Sequence, residues 1–412
     1  MTVRPHPSFH GTVLTAPRRH RLARLTRWYP RIRHVPIDRL LLGGQNGVPA
    51  SRFASVYGDP RWPSRPVVSG PHADLLARAA SGELADDEIL ASSYGRMALA
   101  CIGHTGRYFA ATDPAGVITQ ARQFMTRADD ARAPVPSGDH HSVPGVPILV
   151  VAIADSDCYQ VLDGHHRVAQ LARSGVTSVA VRVRRGTVTT PLQDLLRSMS
   201  WLEGGRELYQ PVSSPELEAA WPTVRRCADR LDKMTAFLVG RGFDEPGTTY
   251  LDVASCYGWF VDQMASLGYG AEGIERDPQG AVLGKVVYGL DPGRIHIGDA
   301  ETVLRRTSKQ WDVVSCFSLL HHFVLGRGSC DAAELVRRLD QATGRVLFLD
   351  TGQEHERWFR SSLRGWDSEH VATFLREHAT FDEIVDLGPD EDAVAPYDAN
   401  YGRHLFACVR SA

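Results

Sequence analysis

From Thr249 to the end of the chain, short apolar runs alternate with helical stretches, and that alternation is the pattern of an α/β sheet. Strands are predicted over Thr249–Val253, Ala271–Glu275, Trp311–Phe317 and Gly344–Asp350, with a third-strand end at Gly298-Asp299-Ala300. Phe381–Leu387 and His404–Val409 are predicted to close the sheet as an antiparallel pair. The first strand runs into Ala254-Ser255-Cys256-Tyr257-Gly258 and then a helix over Trp259–Leu267. A strand, a tight turn of small residues and a helix let the backbone approach a nucleotide-like ligand. Open α/β sheets bind ligands at this carboxyl end of the strands.

Acidic residues stand where such a ligand needs them. Glu275 closes the second strand and can accept hydrogen bonds from both hydroxyls of a ribose. Asp299 ends the third strand, where its carboxylate can meet an adenine amino group. A nicotinamide-binding fold would prefer the G-x-G-x-x-G spacing, which this loop lacks. The series resembles the class I S-adenosylmethionine-dependent methyltransferases, a doubly wound, seven-stranded Rossmann-like sheet. The resemblance implies that Asp252 and the turn containing Ala254, Ser255 and Gly258 hold the methionine end of the cofactor. It implies that Glu275 takes the ribose, that Asp299 takes the adenine amino group with Ala300 beside the ring, and that Ser318 to His321 line the transfer site. The chain departs from the family pattern at Ala254 and Cys256, where glycines are usual, and keeps Gly258. Small residues still permit close approach. A plain strand-end carboxylate accepting loop amides is a second, compatible reading of Asp252.

Methyl transfer to an alcohol needs a group that removes a proton. His322 and His355 lead the candidates, with His321 and Asp350 behind them, because imidazole titrates in the useful range. Paired histidines after the fourth strand are common in this family without serving as the base. Asp350, Glu354, His355 and Glu356 also have the chemistry of metal ligands. Carboxylates with one imidazole suit magnesium or manganese less well than all-oxygen sites, and no metal is expected. Trp358, Phe359, Trp366 and Tyr401 are read either as pocket walls or as ordinary core.

A second motif lies upstream, in Tyr159-Gln160-Val161-Leu162-Asp163-Gly164-His165-His166-Arg167. A strand ends at an acid and a glycine, and a helix opens on histidines and an arginine. Helix N-terminal amides beside an arginine suit a phosphate. The segment resembles the ParB/sulfiredoxin-like superfamily over 35–42 and 147–184, with a helical insertion between. That resemblance implies an α+β domain binding a nucleotide, with Gly164, His165, His166 and Arg167 on the phosphates and Asp163 placing the turn. A retained fold with no activity, which covers the other site or binds substrate, is the alternative.

The expected organisation is a basic extension over 1–34, a ParB/sulfiredoxin-like domain over 35–189, a helical linker over 190–245 and the methyltransferase domain over 246–412. Val35–Leu42 is expected as one strand, Asn46–Pro71 as irregular, Asp86–Cys101 as one helix and Thr190–Gly242 as mainly helical. Leu231, Met234, Leu238 and Val239 are expected in the core. The 412 residues carry a formal net charge of -2, which does not point to nucleic acid or an acidic membrane. No run has the length of a membrane span. The 7 cysteines are dispersed without CxxC spacing, which fits reduced thiols in the cytoplasm. The expected function is methylation of a small molecule, by an O-methyltransferase of specialised, natural-product metabolism. The alternatives are a bifunctional protein whose N-terminal unit turns over a nucleotide, as a kinase or NTPase, and a nucleic-acid-binding protein using the basic arm.

Overall fold

The computed structural model describes residues 31–130, 147–199 and 206–411. The arginines of the basic extension up to Arg27, most of the expected loop 133–147 and the break at Gly204-Gly205 lie outside them. Two sheets organise the described chain. The N-terminal sheet has β1 (Arg31–Pro36), β2 (Leu40–Leu41), β3 (Ile148–Ile153), β4 (Tyr159–Asp163) and β5 (Ser178–Val188) in the order β1-β5-β3-β4-β2. The C-terminal sheet has β6 (Thr249–Val253), β7 (Gly270–Glu275), β8 (Ile295–Ile297), β9 (Trp311–Cys316), β10 (Thr343–Leu349), β11 (Glu383–Pro389) and β12 (His404–Val409).

The seven C-terminal strands are ordered β11-β12-β10-β9-β6-β7-β8. β6 to β10 run parallel, while β12 lies antiparallel to both β10 and β11. Alternate residues face opposite ways in a strand. Tyr250, Val313, Val346 and Phe348 pack on one face with the helices Ala228–Arg241 and Trp259–Ser266. Leu251, Val253, Val314 and Leu347 pack on the other with the helices Ala332–Ala342 and Ser368–His378. Both faces are covered, so the sheet is doubly wound. Strand order reverses between β6 and β9, which opens a crevice at their carboxyl ends.

Several elements differ from expectation. The strand expected over Val35–Leu42 is broken, because Pro36 has no N–H to donate and the chain makes a 3-10 turn over Ile37–Arg39. β1 then pairs with β5, whereas β2 pairs with β4. The expected irregular stretch Asn46–Pro71 contains a helix, Ala50–Tyr57, which buries Phe53 and Ala54. The helix expected over Asp86–Cys101 is two, Asp86–Ala91 and Ser93–Thr105; Ser92 is extended between them and caps the second by accepting from the Gly95 amide. Residues 206–227 are largely non-helical, carrying only the 3-10 turn Pro215–Leu217. Met234 and Leu238 are fully buried, but Val239 is 62% exposed, because it lies about 100° round the helix from Leu238.

The segment after the helix Pro191–Ser198 joins the two sheets. Leu192, Leu196, Leu208, Val212, Leu217 and Trp221 cluster with Tyr257 and Leu283. Arg61 of the N-terminal half reaches across to the carbonyls of Ser213, at 2.9 Å, and Val287, at 3.3 Å.

Candidate functional site

The turn after β6 is tightly constrained. Ala254 has φ 65° and Cys256 φ 55°, left-handed backbone at the two positions where glycine was expected. A left-handed conformation costs an L-residue roughly 1–2 kcal/mol, so the fold holds this turn against a local preference. Gly258, at φ 81°, could not be replaced freely, since an added Cβ would stand 2.8 Å from Leu290 Cδ1. Glu275 secures the turn from one side: its Oε2 accepts from the Cys256 amide and its Oε1 from the Asp277 amide, each at 2.8 Å. A carboxylate has about four lone-pair sites, which leaves two for a diol. Burial pushes the Glu275 carboxyl up, partly offset by these amides.

Asp252 sits deeper. It is opposite Gly273 and Ser315 in the ladder, is 2% exposed, and accepts from Ser315 Oγ at 2.7 Å. Burial pushes its carboxyl up to about 7. It therefore braces the strand beneath the turn. Asp299 caps the helix Ala300–Arg306, accepting from Thr302 N at 3.4 Å and from Ser329 Oγ at 2.8 Å, and Ala300 beside it is buried. Asp312 is at the amino end of β9, opposite the crevice, where it accepts from both the amide and the hydroxyl of Thr249. It pins the strands and takes no part in the crevice.

Beyond β9 the chain meets a buried ionic cluster that sequence reasoning missed. Ser318, at φ 58°, donates its amide to Asp350 Oδ1 at 2.7 Å, and its hydroxyl accepts from Arg225 and Arg403 at 2.8 Å each. Arg225 reaches Asp350 at 3.2 Å and Asp390 at 2.7 Å. Arg230 joins Asp350 and Asp392, while Arg403 makes a two-point contact with Glu356. Burial alone would push the Asp350 carboxyl up, but Arg225, Arg230 and Arg403 overrule it and hold it well below the usual range. Asp350 is thus a charged partner for arginines, and Glu356 is committed in the same way. Arg225 and Arg230 come from a stretch with no local motif, and only the folded linker brings them here.

The remaining candidates have distinct settings. His321 is buried and its Nδ1 accepts from the Gly352 amide at 3.1 Å; burial pushes its pKa well down. The His322 ring lies tilted against it at 4.3 Å, is half-buried, and is lowered by burial and then by Arg327. Both are neutral at pH 7. His355 Nε2 lies 3.0 Å from the Tyr401 carbonyl, and Glu354 accepts from the Gly365 amide. Among the described residues, no group of three His, Cys, Asp or Glu side chains could hold a metal ion. Trp358 packs against Phe359 and Tyr401, while Trp366 packs apart from them on His370 and Phe374.

In the N-terminal half, Gly164, at φ 111°, precedes the helix His165–Arg173, and Asp163 pairs with Arg167 at 2.8 Å. Both imidazoles turn inward. His165 Nε2 accepts from the Gly43 amide at 3.0 Å, and His166 Nε2 meets Tyr94 Oη at 2.9 Å. Burial pushes His165 down to about 3 and His166 to about 4, so neither carries charge at pH 7. His72, fully buried, packs against both rings, and neither of its ring nitrogens has a hydrogen-bond partner among the described residues.

No protein-family model matches the chain, and no curated protein matches it. Among solved structures it is similar to the bifunctional kinase-methyltransferase WbdD, at 21% identity and a TM-score of 0.42, over 53% of this chain and 46% of that one. It is also similar to magnesium protoporphyrin IX methyltransferase (ChlM) from Synechocystis PCC 6803 with bound SAM, at 18% identity and a TM-score of 0.33, over 44% of this chain and 78% of that one. The chain thus spans less than half the length of the first of these. No helix among the described residues is long and apolar enough to cross a membrane.

Proposed function

We propose that the C-terminal half is an S-adenosylmethionine-dependent methyltransferase acting on a small molecule, with a hydroxyl as acceptor. One observation carries the reading. A strained turn of small residues, a strand-end carboxylate with lone pairs to spare and a second acid one strand further on stand at the carboxyl ends of β6, β7 and β8, beside the crevice where strand order reverses. Ala254, Ser255 and Gly258 would border the methionine end, Glu275 the ribose, Asp299 and Ala300 the adenine, and Ser318 the transfer region, with Asp252 bracing the turn from below. When bound, the cofactor supplies a methyl group already activated by its sulfonium. The chain's own part is to align the acceptor and take its proton. His322 is the favoured base: it is neutral at pH 7, half-buried, and adjoins the fixed ring of His321. A role in specialised metabolism is supported by the pairing with the N-terminal unit, which fits no housekeeping RNA enzyme.

Calorimetric titration with S-adenosylhomocysteine tests this reading. Micromolar binding is expected, weakened at least about tenfold by Glu275→Ala, which removes charged hydrogen-bond acceptors. Absence of binding at high micromolar concentration would overturn it. A second reading, of a nucleotide at the N-terminal unit, is favoured by Gly164, Arg167 and the ring nitrogens of His72, which lack hydrogen-bond partners among the described residues. It predicts binding of ATP, ADP or CTP that is lost in Arg167→Ala.

A further inference from the structure

We propose that Gln210 is a positioning residue, a clasp from the linker that fixes the 254–258 turn in the shape that receives the methionine end of the cofactor. The inference rests on the methyl-transfer reading above. Gln210 is 4% exposed, although it belongs to a largely irregular segment. Its Nε2 donates to the Ser255 carbonyl at 3.1 Å, and its Oε1 accepts from the amides of Tyr257, at 3.0 Å, and Trp259, at 3.2 Å. One side chain thus satisfies backbone groups on both sides of Cys256, one of the two left-handed non-glycine residues of the turn.

The clasp is itself held. The Tyr209 amide donates to Tyr257 Oη at 3.4 Å, Tyr288 Oη donates to the Pro211 carbonyl at 2.6 Å, and Arg61 holds the Ser213 carbonyl. Glu275 grips the Cys256 amide from the cofactor side, so Gln210 and Glu275 hold the turn between them. Gln210 takes the first amide of the helix Trp259–Ser266 together with the Tyr257 amide just before it. Both are therefore spent on shaping the turn. A glycine-rich turn adopts such a conformation without help. Here the linker supplies from outside what Ala254 and Cys256 do not supply from within.

The test compares S-adenosylhomocysteine with adenosine, which lacks the methionine end, on the full chain and on Gln210→Met. Methionine keeps the bulk and loses every hydrogen bond. S-adenosylhomocysteine affinity is expected to fall by about tenfold or more, with adenosine binding unchanged. Gln210→Glu keeps an oxygen for Tyr257 and Trp259 and loses only the donor, so its affinity should lie between the two. Unchanged or tighter S-adenosylhomocysteine binding in Gln210→Met would overturn the clasp, as would an equal loss for both ligands. A wild-type chain that binds neither would overturn the methyl-transfer reading, and the clasp with it.

Discussion

The two halves each bury a polar cluster, and they do so in opposite ways. In the N-terminal half, His72 and His166 pack with Tyr94 and Phe124, His165 stacks on His72, and burial keeps all three imidazoles neutral. In the C-terminal half, Arg225, Arg230 and Arg403 are buried with Asp350, Asp390, Asp392 and Glu356, and each acid is paired with at least one of these arginines. Buried charge is stable only while every partner is present, whereas buried neutral imidazole is stable only while the pH denies it a proton. One cluster is vulnerable to substitution and the other to acid.

The largest expected effect comes from breaking the charged cluster. Asp350→Ala leaves Arg225 and Arg230 short of a partner and should cost about 3–5 kcal/mol, read from urea unfolding. An effect under about 1 kcal/mol would show that the cluster is not held by its pairing.

Acid separates the halves. The histidines have folded pKa values below the unfolded value of about 6.5, so the unfolded chain binds more protons in that window and stability falls as pH falls through it. His165 and His166 should each cost on the order of 1–2 kcal/mol by about pH 5. Asp350 has a lowered pKa, so its contribution persists until pH drops below about 4. Hydrogen exchange at pH 5 should therefore show a larger loss of protection in 31–130 and 147–188, which bury His72, His165 and His166, than around β9 and β10, where His321 and His322 add a smaller penalty of the same sign. His166→Phe should shrink the acid effect without touching the C-terminal half. Equal loss in both halves would defeat the contrast.

The smallest effect lies at the turn after β6. Ala254→Gly and Cys256→Gly each relieve a left-handed residue and should raise stability by about 0.5–1 kcal/mol, seen as a higher melting temperature. A drop would mean that the side chains contribute packing that outweighs the strain.

These contrasts follow what a single sequence carries. The parallel strands, Glu275, Asp299 and Gly258 were legible because strand, turn and helix repeat locally, and strand-end acids stand beside the turns they serve. The departure at Ala254 and Cys256 was legible too, and the structure shows left-handed backbone at both. Gln210, Arg225 and Arg230 were not legible. They lie in or just after residues 206–227, which were expected to be helical and are largely irregular, and their partners are far along the chain.

Asp312 has one more consequence. Its carboxylate takes the Thr249 amide and hydroxyl, and the Thr249 hydroxyl accepts from the Asp312 amide at 2.9 Å, locking β6 and β9 at their starts. Asp252 then falls opposite Ser315, and Val253 opposite Cys316. A slip of one residue would turn Ser315 away from Asp252 and reverse the faces of β9. The relative height of the turns on either side of the crevice is thus set at the far end of the strands. Loops at the crevice can change length or composition without disturbing that levelling, as long as the two residues at the opposite end stay joined.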